Sequence, residues 1–314
     1  MGLLFIVDPL DELKPAKDSS IAMMREAAER GHEVYACTLD GLLAIGGTVE
    51  AQVHRLLLAP PDQSEWYMDA GQSRRRLSSF QAVLMRKDPP FDIEFLNATL
   101  LLSRAAAQGA FVVNEPQALR DHNEKLAVLE FPELTVPTVV TRDIGAMRAF
   151  WNEHGDVVVK PLDGMGGAGI FRLAPGEANA GSIFETVTAR GTRAAMAQRF
   201  IPEIVHGDKR VLVIGGAAVP FSLARVPAPG ETRGNLAAGG TGHARPLSPR
   251  DQQIADVVGQ ALTPRGLLLL GLDVIGDSLT EINVTSPTCF VEITQQAGFN
   301  VAGMFIDALE KAVA

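Results

Sequence analysis

Residues 271–284 read GLDVIGDSLTEINV. Two apolar runs flank the glycine-containing segment 276–278, a pattern that predicts a β-hairpin. If 276–278 form its loop, Asp273 pairs opposite Glu281, and the two side chains lie about 5 Å apart on one face. Asn283 points to that same face, because side chains alternate along a strand. The hairpin therefore predicts two carboxylates and an amide side by side.

Two adjacent carboxylates repel each other unless a cation lies between them. A set made only of oxygen ligands suits Mg²⁺ bound together with substrate phosphates. The alternative is a polar, solvated face on an ordinary hairpin, and the acidic pair taken alone favours that alternative. The rest of the chain must decide between the two.

Composition predicts a globular protein of two or three domains. The chain has 314 residues, of which 46% are hydrophobic and 21% charged, and this length can bury a large core. A net charge of −9 argues against nucleic acid or an anionic membrane as a partner, because both require a basic surface. The one dense basic run, Arg74 to Arg76, is expected on a solvated helix face or loop.

Cysteine usage and the length of apolar runs predict a cytoplasmic location. Only Cys37 and Cys289 are present, which favours free thiols in a reducing compartment, and Cys289 is expected to be a buried small residue rather than a nucleophile. The apolar run 3–7 is too short for a signal peptide. The run 267–275 is too short to span a bilayer.

The first part of the chain alternates strands and helices. Apolar runs predict buried strands at 3–7, 34–38, 82–86 and 111–114. Ser19 or Ser20 can cap a helix that ends before Gly31, and a second helix spans 92–108. This alternation predicts a mainly parallel, Rossmann-like α/β domain over residues 1–122.

After residue 122 the pattern predicts two α+β units. Residues 123–200 form a small subdomain with a helix at 143–154, and residues 201–314 form a C-terminal subdomain. Within the latter, residues 226–245 are rich in Gly and Pro and have no periodicity. A segment of this length is too long for a routine connection, so it is either disordered or a mobile functional lid.

A glycine-rich loop follows Lys160. Residues 164–169 read GMGGAG, which matches G-x-G-x-x-G, but a dinucleotide site needs a helix after the loop, and residues 170–173 have β character. Between two strands such a loop can act as a flap whose backbone N–H groups approach phosphate oxygens. Lys160 supports the flap, because a cation at the end of an apolar strand needs a partner. A flexible surface hairpin is the alternative.

Three arginines are candidates for binding an anionic substrate. Arg210 and Arg225 lie at the ends of two predicted strands joined by a glycine turn, and Arg233 lies in the lid segment. Arginine binds carboxylates and phosphates through paired N–H groups, so together they could stabilise a phosphoryl-transfer transition state. Surface ion pairs are the alternative for each arginine alone. Arg86 follows a predicted parallel strand, at the edge where such sheets bind ligands.

Taken together, these segments resemble the bacterial glutathione synthetase family of the ATP-grasp superfamily. The resemblance is carried by MRKDPPFD (85–92), VN (113–114), NEKL (123–126), KPLDGMGG (160–167), GDKRVL (207–212), GETRGNLAAGG (230–240) and TEINVTSPT (280–288). These motifs occur in this order over nearly the whole chain. The motif at 230–240 and the ending SPT at 286–288 are specific to this family rather than to the superfamily.

The resemblance implies an ATP-grasp fold, with ATP held between the two α+β subdomains. It assigns the phosphates to Lys125 and Lys160, the closing loop to Gly164, Met165, Gly166, Gly167 and Gly169, the adenine to Gln198, Phe200 and Ile201, and the ribose to Asp208. It assigns Mg²⁺ or Mn²⁺ to Asp273, Glu281 and Asn283. The catalytic residues would be Arg210, Arg225 and Arg233. Candidates for the peptide substrate are Asp18, Ser19, Arg86, Ser286, Pro287 and Thr288.

The reaction that the resemblance implies is the ATP-dependent ligation of γ-glutamylcysteine with glycine through an acyl phosphate, which yields glutathione, ADP and phosphate. A homotetramer is also implied. One alternative is another ATP-grasp carboxylate–amine ligase, which would keep the ATP and metal residues but not residues 230–240 and 286–288. The other is a nucleotide-binding module without catalysis, in which loss of Asp273, Glu281 or Arg210 would be expected.

Overall fold

The structure is a computed structural model that describes residues 1–60, 63, 65–164, 166–228, 234 and 239–314. Within these residues the strands form three sheets, of seven, four and five strands. Each sheet comes from one continuous part of the chain. In this described part no helix is both long and apolar enough to cross a membrane.

The first sheet is built from the N-terminal part of the chain. Its strands are β1 (Gly2–Ile6), β2 (Glu33–Cys37), β3 (Leu42–Ile45), β4 (Thr48–Leu58), β5 (Tyr67–Arg76), β6 (Ala82–Met85) and β7 (Val112–Val113). Strands β2, β1, β6 and β7 are parallel and lie in that order. The predicted parallel α/β arrangement is confirmed for these four strands.

The remaining three strands of this sheet were not predicted. Strands β3, β4 and β5 are antiparallel and extend the sheet beyond β2. Arg74 to Arg76 therefore lie on strand β5, and the expectation of a helix face or loop is wrong. Strand β5 is exposed along almost all its length, so its sequence has no alternation of apolar and polar residues that would indicate a strand.

Helices α1 (Ser19–Glu29), α2 (Ile93–Ala106) and α3 (Pro116–Asp121) accompany the first sheet. The cap of α1 is Asp18, whose side chain accepts a hydrogen bond from Ile21 N at 2.9 Å; the prediction of Ser19 or Ser20 as the cap is wrong by one residue. The predicted end of the helix is confirmed, because Gly31 has a φ of +80°, a conformation that favours glycine just after a helix.

The second sheet is small and antiparallel. Its strands are β8 (Thr138–Thr141), β9 (Val157–Pro161), β10 (Phe171–Leu173) and β11 (Ala195–Arg199), in the order β10-β9-β11-β8, with helices α4 (Ile144–His154) and α5 (Ala180–Val187). Helix α4 is capped by Asp143 at its start and by Gly155 at its end, so the predicted helix at 143–154 is confirmed to within one residue. The buried side chains of Met147, Val159 and Phe184 belong to an apolar cluster confined to this part of the chain.

The third sheet is antiparallel and contains the hairpin predicted for residues 271–284. Its strands are β12 (Asp208–Ile214), β13 (Ala217–Val226), β14 (Thr241–Pro246), β15 (Leu269–Ile275) and β16 (Ser278–Asn283), in the order β14-β13-β12-β15-β16. Helices α6 (Pro249–Leu262), α7 (Phe290–Ala297) and α8 (Val301–Val313) complete the chain. Strand β14 pairs with β13, and Val226 is the last residue of β13, so the expectation that 226–245 is all loop is wrong for Val226 and for the last five residues.

The hairpin β15–β16 has the predicted pairing but a different turn. Asp273 pairs with Glu281, whereas Val274 pairs with Leu279 and Ile275 with Ser278. The loop is thus two residues long rather than three, and a bulge at Thr280 supplies the missing residue. The Thr280 hydroxyl donates to Asp273 O at 3.0 Å. The bulge restores the pairing that a three-residue loop would have given.

Asn114 joins the first sheet to the third. Its buried amide nitrogen donates to Leu269 O at 2.8 Å and Val284 O at 2.7 Å, and its amide oxygen accepts from Leu269 N at 3.0 Å. One side chain therefore satisfies three backbone groups at the ends of β15 and β16, close to the residues that line the candidate site.

We expect Asn114→Ala to lower the free energy of unfolding by about 3 kcal/mol, because three buried backbone groups lose their partner and each unsatisfied group costs about 1–3 kcal/mol. Urea unfolding followed by circular dichroism measures the change. The matched control is Asn97→Ala on the exposed side of α2, where we expect a change within about 0.5 kcal/mol. Equal stability of the two variants would contradict the role assigned to Asn114.

Candidate functional site

A cavity of about 340 Å³ lies between the second and third sheets, a size typical of small-molecule sites. Most residues predicted to bind ligands line it. They are Lys125, Lys160, Gly164, Gly166, Gly167, Gln198, Phe200, Ile201, Asp208, Arg210, Arg225, Asp273, Glu281, Asn283, Ser286 and Thr288. The structure thus brings together side chains from strands β9, β11, β12, β13, β15 and β16.

Some predicted residues lie elsewhere. Met165 and Arg233 are outside the described residues. Gly169 and Pro287 are next to lining residues in the sequence but are not part of the cavity wall. Asp18 caps helix α1, and Ser19 Oγ accepts a hydrogen bond from Phe290 N at 3.2 Å. Both side chains therefore have structural partners already.

Arg86 lies behind the cavity wall and is buried. It donates from Nε to Ser20 Oγ at 3.0 Å and from Nη2 to Pro287 O at 2.9 Å, and Ser286 Oγ donates to Arg86 O at 3.2 Å. Its Nη1 is buried and has no hydrogen-bond partner in the described part of the chain. Burial lowers the pKa of Arg86, against the attraction of Asp88 and Asp18. A buried guanidinium with an unused N–H group is suited to a carboxylate.

Asp273 is held between two arginines. Arg210 donates from Nε to Asp273 Oδ1 at 2.6 Å, and Arg225 Nη2 lies 3.0 Å from Asp273 Oδ2. Burial would raise the pKa of Asp273, but the two guanidiniums outweigh burial and lower it. Asp273 is therefore ionised at neutral pH, as a metal ligand or the partner of a buried cation must be.

Glu281, the cross-strand partner of Asp273, faces two lysines. Lys160 Nζ lies 3.0 Å from Glu281 Oε1, and Lys125 Nζ lies 3.9 Å from the same atom. These ammonium groups outweigh burial and lower the pKa of Glu281. Both lysines are themselves buried, so the carboxylate and the two cations stabilise one another in a poorly hydrated site.

The oxygen donors on the hairpin fit a divalent cation of the Mg²⁺ class. Asp273 and Glu281 are paired across the strands, and Asn283 Nδ2 donates to Gly271 O at 3.1 Å, which leaves its amide oxygen as an acceptor. The third donor is thus an amide, and among the described residues no three His, Cys, Asp or Glu side chains cluster as a metal site. Carboxylate and amide oxygens are ligands that Mg²⁺ prefers.

Asp208 lines the cavity with one carboxylate oxygen unused. Its Oδ2 accepts from Arg225 Nη2, whereas its Oδ1 is buried and has no hydrogen-bond partner among the described residues. Burial raises the pKa of Asp208 to about 6, against the attraction of Arg225. A buried acceptor without a donor is costly, so this atom is suited to a hydroxyl group of a ligand.

The glycine-rich loop contacts one of the two lysines. Lys125 Nζ donates to Gly164 O at 2.6 Å, and a side chain at Gly164 would place its Cβ 2.9 Å from both Ala168 O and Pro161 Cγ. Only glycine therefore permits this tight fold of the loop. Strand β10 follows the loop, so the predicted strand–loop–strand arrangement is confirmed.

The segment after β11 forms another wall. Phe200 N donates to Asp156 O at 2.9 Å, so this N–H group is not available to a ligand. The Arg172 guanidinium lies 3.7 Å from the centre of the Phe200 ring, a cation–π contact that fixes the aromatic side chain. Gln198 is buried beside them, with Thr135 and Thr138 as its side-chain partners.

Sequence reasoning missed several lining residues. Glu124 accepts a hydrogen bond from Thr285 Oγ1 at 2.8 Å, and burial raises the pKa of Glu124 against that bond. The position of Glu124 next to Lys125 in the sequence could have identified it. No feature of the sequence could have identified Arg172, because its contact with Phe200 joins residues far apart in the chain. Cys289 lines the cavity and burial raises the pKa of its thiol, in keeping with a buried small residue.

Family comparisons match both halves of the chain. The family described as prokaryotic glutathione synthetase, N-terminal domain, matches residues 1–120, and the family described as prokaryotic glutathione synthetase, ATP-grasp domain, matches residues 124–298. A glutathione synthetase from Ralstonia nicotianae is 60% identical, over 99% of this chain and 96% of the relative. Another from Nitrosomonas europaea is 56% identical, over 100% of this chain and 99% of the relative.

Solved structures share the fold at lower identity. The D-cycloserine synthetase DcsG aligns with a TM-score of 0.69 and 16% identity, over 100% of both chains. A RimK domain ATP-grasp protein from Sphaerobacter thermophilus aligns with a TM-score of 0.64 and 20% identity, over 98% of this chain and 99% of that one. These similarities show an ATP-grasp fold.

Proposed function

The chain belongs to the prokaryotic glutathione synthetase family, and we propose that the cavity between its second and third sheets holds ATP and the peptide substrate during catalysis. The chain is an ATP-grasp ligase with glutathione synthetase activity. The observation that carries the proposal is that Lys125 and Lys160 both lie at Glu281 and that Lys125 also contacts the glycine-rich loop at Gly164 O. Two buried cations under bare backbone form a site suited to phosphates.

The proposed nucleotide site follows the cavity wall. Lys125 and Lys160 contact the phosphates, and the loop 164–169 closes over them. In this arrangement Lys125 would release Gly164 O to reach a phosphate. The unused Oδ1 of Asp208 supports its role as acceptor for the ribose. Gln198 and the backbone near Ile201 would contact the adenine, with Phe200 as an apolar wall.

The proposed metal site consists of Asp273, Glu281 and Asn283. A bound Mg²⁺ or Mn²⁺ would screen the negative charge of the phosphates. The chain's part is to keep both carboxylates ionised and oriented. Arg210 and Arg225 do this for Asp273, and Lys160 does it for Glu281.

The proposed first step joins two anions, the cysteinyl carboxylate of γ-glutamylcysteine and the γ-phosphate of ATP. The carboxylate oxygen attacks phosphorus, ADP leaves, and an acyl phosphate forms. Arg210 and Arg225 lie where they can neutralise this approach, and catalysis of phosphoryl transfer depends mainly on positioning and electrostatics. The unused Nη1 of Arg86, with Ser286 and Thr288, supports a site for the peptide beside them.

In the proposed second step the amine of glycine attacks the acyl phosphate, and phosphate leaves to give glutathione. Water would hydrolyse the acyl phosphate, so the site must exclude it. The segment 226–240 is suited to this task. Gly234, a described residue of that segment, is buried against Asp208 and Arg225, and a Cβ there would lie 2.3 Å from Arg225 O.

We further propose that residues 123–200 act as a small subdomain that closes over the nucleotide against residues 201–314, with 1–122 as the N-terminal domain. The separate apolar cluster of the second sheet supports this division, because a unit with its own core can move as a rigid body. A cytoplasmic location remains a prediction from cysteine usage and the short apolar runs, and a homotetramer remains a prediction from the resemblance.

The function is tested by ADP formation with Mg²⁺ and with γ-glutamylcysteine and glycine supplied singly and together. We expect sustained turnover only with both substrates, because the acyl phosphate needs the amine to complete the cycle. No turnover with both, or equal turnover with D-alanine alone, would reject the assignment. A second assay of glutathione by mass spectrometry distinguishes ligation from uncoupled ATP hydrolysis.

A further inference from the structure

We propose that Thr138 makes the nucleotide site selective for 6-aminopurines by fixing the orientation of the Gln198 side-chain amide. The inference rests on the proposed function, since it assumes that the cavity binds a purine nucleotide at Gln198. It assigns Thr138, which is not part of the cavity wall, as a positioning residue that acts through Gln198.

Two hydrogen bonds form a short relay behind the cavity wall. Gln198 Nε2 donates to Thr138 Oγ1 at 3.1 Å, and Thr138 Oγ1 donates to Val136 O at 2.8 Å. Thr138 and Gln198 are directly opposite each other on strands β8 and β11. The relay therefore connects a fixed backbone carbonyl to a side chain that lines the cavity.

The relay permits only one orientation of the amide. A threonine hydroxyl has a single proton, and Thr138 donates that proton to Val136 O. Toward Gln198 it can then act only as an acceptor, so the NH₂ group of Gln198 must face it. The other end of the amide, the oxygen Oε1, is left to face a ligand as an acceptor.

Thr135 does not impose this orientation. Its hydroxyl lies 3.5 Å from Gln198 Nε2, at the limit of a hydrogen bond. A hydroxyl whose proton is free to rotate can serve either end of an amide. The backbone N–H group of Phe200 does not compete with the Gln198 amide for a ligand, because Phe200 N already donates to Asp156 O.

An acceptor at this place distinguishes purine bases by the group at position 6. Adenine has an amino group there, which donates to the amide oxygen. Hypoxanthine and guanine have a carbonyl oxygen, which would face Oε1 as a second acceptor and leave both buried oxygens unpaired. A site built to hydrogen-bond one such group rejects an analogue without it by large factors.

The probes are ATP, purine riboside triphosphate, which has hydrogen at position 6, and ITP, which has a carbonyl there. For the unmodified enzyme we expect kcat/KM to fall in that order, with ATP about 100-fold above ITP. ITP used as well as ATP would overturn the proposal. This comparison needs no variant and so does not depend on one that folds.

Thr138→Val removes the hydroxyl and frees the amide to rotate by 180°. We expect the ratio of kcat/KM for ATP to that for ITP to fall about tenfold, through KM rather than kcat, while Thr138→Ser keeps the ratio. The matched control is Thr141→Val on the same strand. The Thr141 hydroxyl accepts from Asp143 N at 2.9 Å, and residue Thr141 lies opposite Ala195 in the strand register rather than opposite Gln198, so we expect the ratio to stay unchanged.

If Thr138→Val lowers kcat/KM equally for ATP and ITP, or leaves both values unchanged, their ratio stays the same. Either result would overturn the proposal, and the equal loss would indicate a merely structural role for Thr138. Calorimetric titration with ADP and IDP separates this outcome from failure of the proposed function. If the enzyme fails to ligate γ-glutamylcysteine and glycine but Thr138→Val still narrows the difference in affinity between ADP and IDP, the proposed reaction is wrong and the relay stands.

Discussion

Glu281→Gln is expected to lower kcat for ADP formation by at least about 10³-fold while the protein stays folded. The substitution keeps the size and shape of the side chain and removes one negative charge. That charge faces Lys160 Nζ at 3.0 Å and Lys125 Nζ at 3.9 Å. Because these lysines lower the pKa of Glu281, the native side chain is ionised at neutral pH, and the variant loses a charge that is present during catalysis.

Two measurements separate a role in catalysis from a role in folding. Coupled-enzyme kinetics give kcat, and thermal unfolding gives stability; we expect the melting temperature to change by only a few degrees. Glu153→Gln is the matched control, because Glu153 is exposed on helix α4, and we expect its kcat to equal that of the unmodified enzyme. Near-normal turnover in Glu281→Gln would refute the proposed site.

Raising the Mg²⁺ concentration distinguishes two roles of Glu281. If the carboxylate only supplies a metal ligand, excess Mg²⁺ restores part of the lost activity through mass action. If it mainly orients Lys160 and Lys125, added metal changes nothing, and the loss is expressed in KM for ATP. The structure favours a contribution from both, because the same carboxylate contacts the lysines and pairs with Asp273 across the hairpin.

The hairpin shows what local sequence can predict. Alternation and a glycine turn were enough to pair Asp273 with Glu281, and the pairing is confirmed even though the loop is shorter and Thr280 forms a bulge. This register is the decisive feature of the site, because it places two largely buried carboxylates side by side, and their burial requires the cations that surround them. Strand β5 could not be predicted in the same way, because an exposed strand has no apolar pattern.

The contact between Arg210 and Asp273 could not be predicted locally. Sequence reasoning assigned the arginine to the substrate and the carboxylate to the metal. The strand order places β12 beside β15, where Arg210 pairs with Asp273 in register, although 63 residues separate them. The relay from Gln198 through Thr138 has the same origin, since it joins neighbouring strands β8 and β11, which are separated in the sequence by two helices and two strands.

Arg210→Met is expected to lower the free energy of unfolding by about 3–5 kcal/mol and to abolish measurable turnover. The reason for the loss of stability is that the buried Asp273 carboxylate loses one of its two guanidinium partners and keeps only the contact with Arg225 Nη2, and breaking a buried ion pair is costly. Urea unfolding measures it. The matched control is Arg265→Met, which breaks a half-exposed pair with Glu130, and there we expect a loss of at most about 1 kcal/mol.

The double variant Arg210→Met/Asp273→Leu tests whether the ion pair serves catalysis or only stability. Replacing a buried ion pair by apolar groups is often neutral for stability, so we expect the double variant to recover most of what Arg210→Met loses. Activity should not recover, with kcat still at least about 10³-fold below that of the unmodified enzyme, since both the cation proposed for the reacting carboxylate and a proposed metal ligand are gone. A double variant that is stable and active would mean that Arg210 and Asp273 serve only the fold. If the buried ion pair is present for catalysis and not for stability, the double variant must recover stability and stay inactive.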